Sequence, residues 1–123
     1  MTANLDQIEG RQLFKDVTLN GNSVEKILNL QELKAVGNMS LQATVGGGNS
    51  GSVSFTYQLS NNWNPNTKTG SFAIPSDGNS IMVVTDGNEN LQPVSVYPSL
   101  FIKIIATETA NQDSVVNGWL STQ

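Results

Sequence analysis

The chain has 123 residues, enough for one buried core and too few for two, so a single domain is expected. Ten acidic residues against six basic ones give a net charge of −4, and the basic residues are scattered, which argues against binding to nucleic-acid phosphates. Cysteine and histidine are both absent, which removes disulfides, thiolate metal sites, the cysteine nucleophile, the usual general base and the commonest zinc ligand.

The first residues, Met1-Thr2-Ala3-Asn4-Leu5-Asp6, have neither the basic start nor the apolar segment of an export signal, and no apolar run approaches membrane-spanning length. A soluble protein made in the cytoplasm, with no membrane partner, is the expectation. Residues 1–12 are mostly polar, with Leu5 and Ile8 as isolated apolar points, and read as an N-terminal arm ahead of a domain over 13–123.

Residues 13–19 alternate, with Leu13, Lys15, Val17 and Leu19 on one side and Phe14, Asp16 and Thr18 on the other, and Asn20-Gly21 closes this strand with a tight turn. In residues 23–36, Val24, Ile27 and Leu28 fit a helical stripe. The β character of everything that follows favours a strand over 24–30, then a turn or loose helical bend. Residues 39–45 alternate again, and Gly46-Gly47-Gly48 reads as a hairpin tip, so 39–45 and 52–60 are expected to pair antiparallel. Residues 52–60 carry the clearest signal: Val53, Phe55, Tyr57 and Leu59 alternate strictly with Ser, Thr and Gln, the period of a half-buried strand.

Residues 61–70 are too polar and turn-rich to be anything but a loop, and loops of this length often carry function. Phe72-Ala73-Ile74 reads as a short strand halted by Pro75, and Asp77-Gly78 and Asp86-Gly87 as turns around a strand at 81–84. Residues 81–84 and 100–107 are apolar on both faces, which predicts strands buried on both sides or covered by another subunit. A last strand runs over 115–122. Seven or eight short strands at this spacing predict an all-β antiparallel sandwich, jelly-roll-like or immunoglobulin-like, with Phe55, Tyr57, Leu59, Ile102, Ile104 and Leu120 in its core.

Candidate chemistry is sparse. From Asp86 to Asn90, oxygen-bearing side chains alternate as in a calcium loop, but Leu91 stands where such a loop needs Gly and Tyr97 where it needs Glu, so a plain Asp-Gly hairpin is the better reading. Asp77 and Asp86 each precede Gly, and turn formation explains both without a catalytic carboxylate pair. The glycine cluster lacks the Lys and Ser/Thr of a phosphate loop. Trp63, beside Asn61, Asn62 and Asn64, has the composition of a sugar-stacking platform, although a strand-end tryptophan more often packs at the rim of a core. No enzyme activity, cofactor or metal is expected.

The succession of Leu30, residues 40–45, 51–53 and 57–63, Pro98-Ser99-Leu100-Phe101-Ile102-Lys103-Ile104 and Val115-Val116-Asn117-Gly118-Trp119-Leu120 resembles small β-sandwich virion proteins of tailed bacteriophages. In many of those a Ser, two or three turn residues and a Trp follow a core strand; here Asn61-Asn62 stands where Asp-Gly is commoner. The resemblance implies a structural protein without catalysis, most readily a capsid decoration or cement protein, with the major capsid protein or another virion protein as its partner. It also fits a homo-oligomer, dimer or trimer, and Leu5, Ile8, Met82, Val84, Phe101 and Ile105 are the candidate interface residues. The alternative is a carbohydrate-binding module using Asn61, Asn62, Trp63 and Asn64.

Overall fold

The chain runs β1 (Glu9–Leu19), β2 (Ser23–Asn29), β3 (Met39–Gly46), β4 (Ser52–Ser60), β5 (Ser80–Thr85), β6 (Asn88–Val94), β7 (Phe101–Glu108) and β8 (Ser114–Thr122). The computed structural model describes residues 9–33 and 39–122, with side chains from Arg11 onward. Leu5, Ile8 and the rest of the expected arm up to residue 8 lie outside the described residues, whereas residues 9–12 already belong to β1.

The chain doubles back between β4 and β5, and the pairing is nested: β4 with β5, β3 with β6, β2 with β7 and β1 with β8, all antiparallel. The resulting ribbon is rolled so that β8 also pairs with β3 and β7 with β4. Two four-stranded sheets result, a front sheet in the order β1-β8-β3-β6 and a back sheet in the order β2-β7-β4-β5. This is the jelly-roll form of the sandwich. The immunoglobulin-like form is excluded because it puts the first two strands side by side in one sheet, and here β1 and β2 lie in different sheets.

Alternation decides what lies between the sheets. Leu41, Ala43 and Val45 of β3, Val53, Phe55 and Tyr57 of β4, Ile102, Ile104 and Ala106 of β7, and Val116 and Leu120 of β8 all point inward and are buried. Each large side chain among them contributes about 1.5–3 kcal/mol by leaving water. The expected core residues are therefore inside, with Leu59 partly buried at the rim. The strand expected at 24–30 is β2, and the bend after it is closed by Leu33 N–H donating to Asn29 O at 3.1 Å.

Four expectations are corrected. Residues 39–45 and 52–60 do not pair: β3 and β4 lie in opposite sheets, so the glycine-rich connection is a corner between layers rather than a hairpin tip. The Asp86-Gly87 turn likewise joins strands of different sheets, with Gly87 at φ 81° and its N–H donating to Val45 O. Phe72-Ala73-Ile74 is not a strand; Ala73 makes one isolated bridge to Leu59 before Pro75 ends the pairing. In β1 the simple alternation fails, because register shifts between Gln12 and Phe14 and between Phe14 and Val17 turn both Leu13 and Phe14 inward. Phe14 then fills the space over Gly118, where an added Cβ would lie 3.0 Å from its ring.

At one end of the sandwich Glu108 is buried and ties three connections together. Its Oε1 accepts the backbone N–H groups of Gly21 and Gln112 at 2.9 and 3.1 Å, and its Oε2 those of Ser52 and Ala110 at 3.2 and 2.8 Å. Burial pushes this carboxyl up, but the four N–H groups outweigh it and hold the pKa down at about 2.

Candidate functional site

The outer face of the back sheet is built by the second parity of its strands. On central β7 it shows Phe101, Lys103, Ile105 and Thr107, all half-buried. Cross-strand register places Glu25 and Thr56 on either side of Ile105, Ile27 and Gln58 beside Lys103, and Asn29 and Ser60 beside Phe101. On edge strand β5 the outward residue is Val83, 56% exposed and opposite Ser54. Glu25 and Lys103, the charged pair of these rows, form an ion pair at 3.7 Å. The surface is otherwise a mixture of aliphatic, aromatic, hydroxyl and amide groups, able to pack and to donate or accept neutral hydrogen bonds.

Of the expected interface residues, Phe101 and Ile105 sit on this face. Met82 and Val84 do not: they share the inward parity of Phe55 and Val53, their pairing partners, and are core residues. The two-sided apolar run at 81–84 arises because Val83 is apolar on the solvent side of an edge strand. Sequence reasoning missed Val83 and Ile27, and the parity of β4 carried across its pairing with β5 identifies the first.

The loop of residues 61–79 folds back onto the same face. Trp63 packs on Phe72 with ring centroids 5.3 Å apart, and Lys103 Nζ lies 4.4 Å over the Phe72 ring. Ser60 Oγ accepts the N–H groups of Asn62 and Trp63, which sets the direction of the chain as it leaves β4. Gly70, at φ 124°, lets the returning strand of the loop pass close to Asn62 and Trp63. Trp63 thus packs on the outside of the sheet rather than at the rim of the core.

The asparagines expected to accompany Trp63 mostly serve the loop itself. Asn62 Oδ1 accepts Ser71 N–H at 2.9 Å, Asn64 Oδ1 accepts the N–H groups of Asn66 and Thr67, and Asn61 Oδ1 accepts Leu100 N–H. Asn61 and Asn62 line an open cleft of about 380 Å³ with Ala73, Pro75, Tyr97 and Pro98, a lining that does not include Trp63. The structure therefore separates the tryptophan from the asparagine-lined cleft. Beneath this end lies Tyr57; burial pushes its phenol up, and Asp77 and Tyr97 add to the shift.

Asp77 lies toward the end of β4 near Tyr57, whereas Asp86 accepts Gly48 N–H near its start. They do not converge. Among the described residues no three Asp or Glu side chains group as a metal site would require.

Fold and surface together define an eight-stranded jelly-roll sandwich with an apolar, nearly neutral outer face on one sheet. No family model matches the chain, and no curated protein matches it. Among solved structures it is similar to a protein of the disulfide-linked pili of Bacillus endospore appendages, at 14% identity and a TM-score of 0.49 over 94% of this chain and 86% of that one. It is also similar to the SPBc2 prophage-derived protein YomS, at 10% identity and a TM-score of 0.47 over 94% and 95% of the two chains. A third likeness is to VP2 of the infectious bursal disease virus subviral particle, at 12% identity and 0.46, where 93% of this chain spans 32% of that one. Each is a likeness of chain shape, and none passes a function to this protein.

Proposed function

We propose that this chain is a structural, non-catalytic virion protein of a tailed bacteriophage, a decoration or cement protein that adheres to the capsid exterior through the outer face of its back sheet. The observation that carries the reading is that face itself: Ile27, Val83, Phe101 and Ile105 lie among hydroxyl and amide side chains, with Glu25 and Lys103 paired. Aromatic and aliphatic groups beside neutral hydrogen-bonding ones, with the charges of Lys103 and Glu25 closed on each other, match the composition of a protein–protein interface. The partner in this reading is the major capsid protein or another virion protein, the protein acts as a dimer or trimer at a capsid symmetry axis, and residues 1–8, the part of the expected arm ahead of β1, serve as an anchor. Neither nucleic acid nor membrane takes part.

The test is mass spectrometry of purified particles, followed by re-addition of the protein to particles that lack it. Val83→Lys and Ile105→Lys should leave the unfolding midpoint nearly unchanged and reduce retention on particles at least tenfold. Absence from particles, or a strict monomer with no affinity for a capsid, overturns the reading. The carbohydrate-binding alternative through Trp63 is the weaker one, because Asn62 and Asn64 commit their side-chain oxygens to the loop backbone. Loss of glycan-array binding in Trp63→Ala would restore it.

A further inference from the structure

The outer face of the front sheet differs in kind from that of the back sheet. Its central strand β8 presents Trp119 outward, half-buried, on the parity opposite to the core residues Val116 and Leu120. Register sets Gln12 of β1 directly across from Trp119 on one side and Gln42 of β3 on the other, with Leu91 of β6 beyond Gln42. A row Gln12, Trp119, Gln42, Leu91 thus crosses all four strands. Gln12, Trp119 and Gln42, with Arg11, Glu89 and Ser121, line a depression of about 460 Å³ over the indole, within the range of small-molecule sites, and Leu91 lies just outside this lining.

The hydrogen bonding around this ring is directional. Gln12 Nε2 donates to Phe14 O at 3.2 Å and Gln42 Nε2 donates to Glu89 Oε2, so both amide groups are oriented by the protein through their nitrogens. An amide oriented through its nitrogen presents its oxygen, with two lone pairs, as an acceptor, and the Trp119 indole N–H is a donor. The site therefore offers two oriented neutral acceptors, one donor and one flat aromatic face, with an acidic and a basic group at its margin.

We propose that this depression binds a neutral glycan, one pyranose ring stacking its C–H face on Trp119 while its hydroxyls donate to the oxygens of Gln12 and Gln42. The negative face of the indole attracts the polarised C–H groups of a sugar ring. Strand spacing holds each amide about 4.8 Å from the tryptophan strand, beside the edge of a stacked ring. Leu91, 59% exposed, lies two strand spacings from Trp119, roughly 10 Å, where a second ring of the same chain can rest on it. A protein partner would be served better by the apolar back-sheet face. Here the ring is surrounded by the amides of Gln12 and Gln42 and the hydroxyl of Ser121, with Arg11 and Glu89 at the margin, which match a ligand that is polar at its rim and apolar on its face. The site is on the sheet opposite the proposed capsid-binding face, so both can be occupied together.

The experiment is affinity electrophoresis of the full chain in gels containing xylan, a soluble β-1,4-glucan, laminarin, mannan, dextran or galactan, with heparin and alginate as anionic controls. Retardation by at least one neutral polymer is expected. Trp119→Ala should weaken it at least tenfold and Gln42→Ala at least threefold, whereas Trp63→Ala should leave it unchanged. In a Trp63→Phe background Trp119 is the sole tryptophan, so the binding polymer should also change its fluorescence. If Trp119→Ala loses its β-sheet circular dichroism, Gln42→Ala and the fluorescence titration decide. No retardation by any neutral polymer, retardation by the anionic polymers alone, or equal binding by the Trp119 and Gln42 variants overturns the proposal. Failure of particle binding with glycan binding intact would overturn only the virion reading.

Discussion

Replacing Gly51 by alanine tests how tightly the Glu108 end of the sandwich is packed. Gly51 is buried, and a Cβ built on it would lie 1.7 Å from Ser114 Oγ, 3.1 Å from Ser114 Cβ and 3.6 Å from Glu108 Oε2. Ser114 is itself fully buried and donates to Gln112 O at 3.1 Å, so its hydroxyl can move aside only by giving up that bond, at about 1 kcal/mol. Overpacking adds about 1–3 kcal/mol. Alanine recovers roughly 0.4–1 kcal/mol by restricting the unfolded chain. The sum is a loss of about 2 kcal/mol for Gly51→Ala. Ser114→Ala alone should cost about 1 kcal/mol through the lost hydrogen bond. In the double variant the colliding oxygen is gone and the 3.1 Å Cβ contact remains, so the total should stay near 1 kcal/mol rather than the 3 that additivity gives. Urea unfolding of the four proteins with a common m-value measures this coupling of about 2 kcal/mol. Additive losses, within about 0.5 kcal/mol, would show that Gly51 and Ser114 do not meet as described.

The acid limb of stability should depend on Glu108: its pKa is about 2 when folded against 4.5 unperturbed, so its contribution is complete above pH 4.5 and disappears as pH falls through 2. Urea midpoints of the native protein and Glu108→Gln should differ most above pH 4.5 and converge toward pH 2, and parallel curves would refute the assignment. Gly70→Ala, forced to φ 124° with its Cβ 2.6 Å from Asn62 O, should cost at least about 1–3 kcal/mol and change the Trp63 near-ultraviolet signal. An unchanged spectrum would mean that the loop does not hold Trp63 as described. Phe55→Ala, at a fully buried position, should cost about 3–5 kcal/mol in the same urea assay.

The parity of β4 was readable directly, since Val53, Phe55 and Tyr57 needed no knowledge of their neighbours to be placed inward. Pairing was not. A glycine-rich connector such as residues 46–51 permits both a hairpin and a corner between sheets, and only the competition of β6 and β8 for the edges of β3 decides between them. Strand β6 escaped notice because Asn88, Glu89, Asn90 and Pro93 are poor strand formers; it is an edge strand, where Pro93 and polar residues are tolerated. Glu108 reads in sequence as the polar end of an apolar strand, and its four donors come from segments up to 87 residues away. Trp119 was visible as a strand residue, but its amide neighbours come from β1 and β3 and required the register of three strands.

The nested pairing also dictates when the molecule can come into being. Glu9 pairs with Thr122, so β1 waits for β8, and β8 alone joins β1 to β3. Until the nine residues of β8 are in place, β1 has no partner within its sheet and β3 has an open edge, an arrangement prone to pairing with neighbouring chains. Folding of the front sheet thus waits on β8 and is slow, as expected where contacts span most of these strands. Copies folding side by side face their greatest risk of joining each other in that interval.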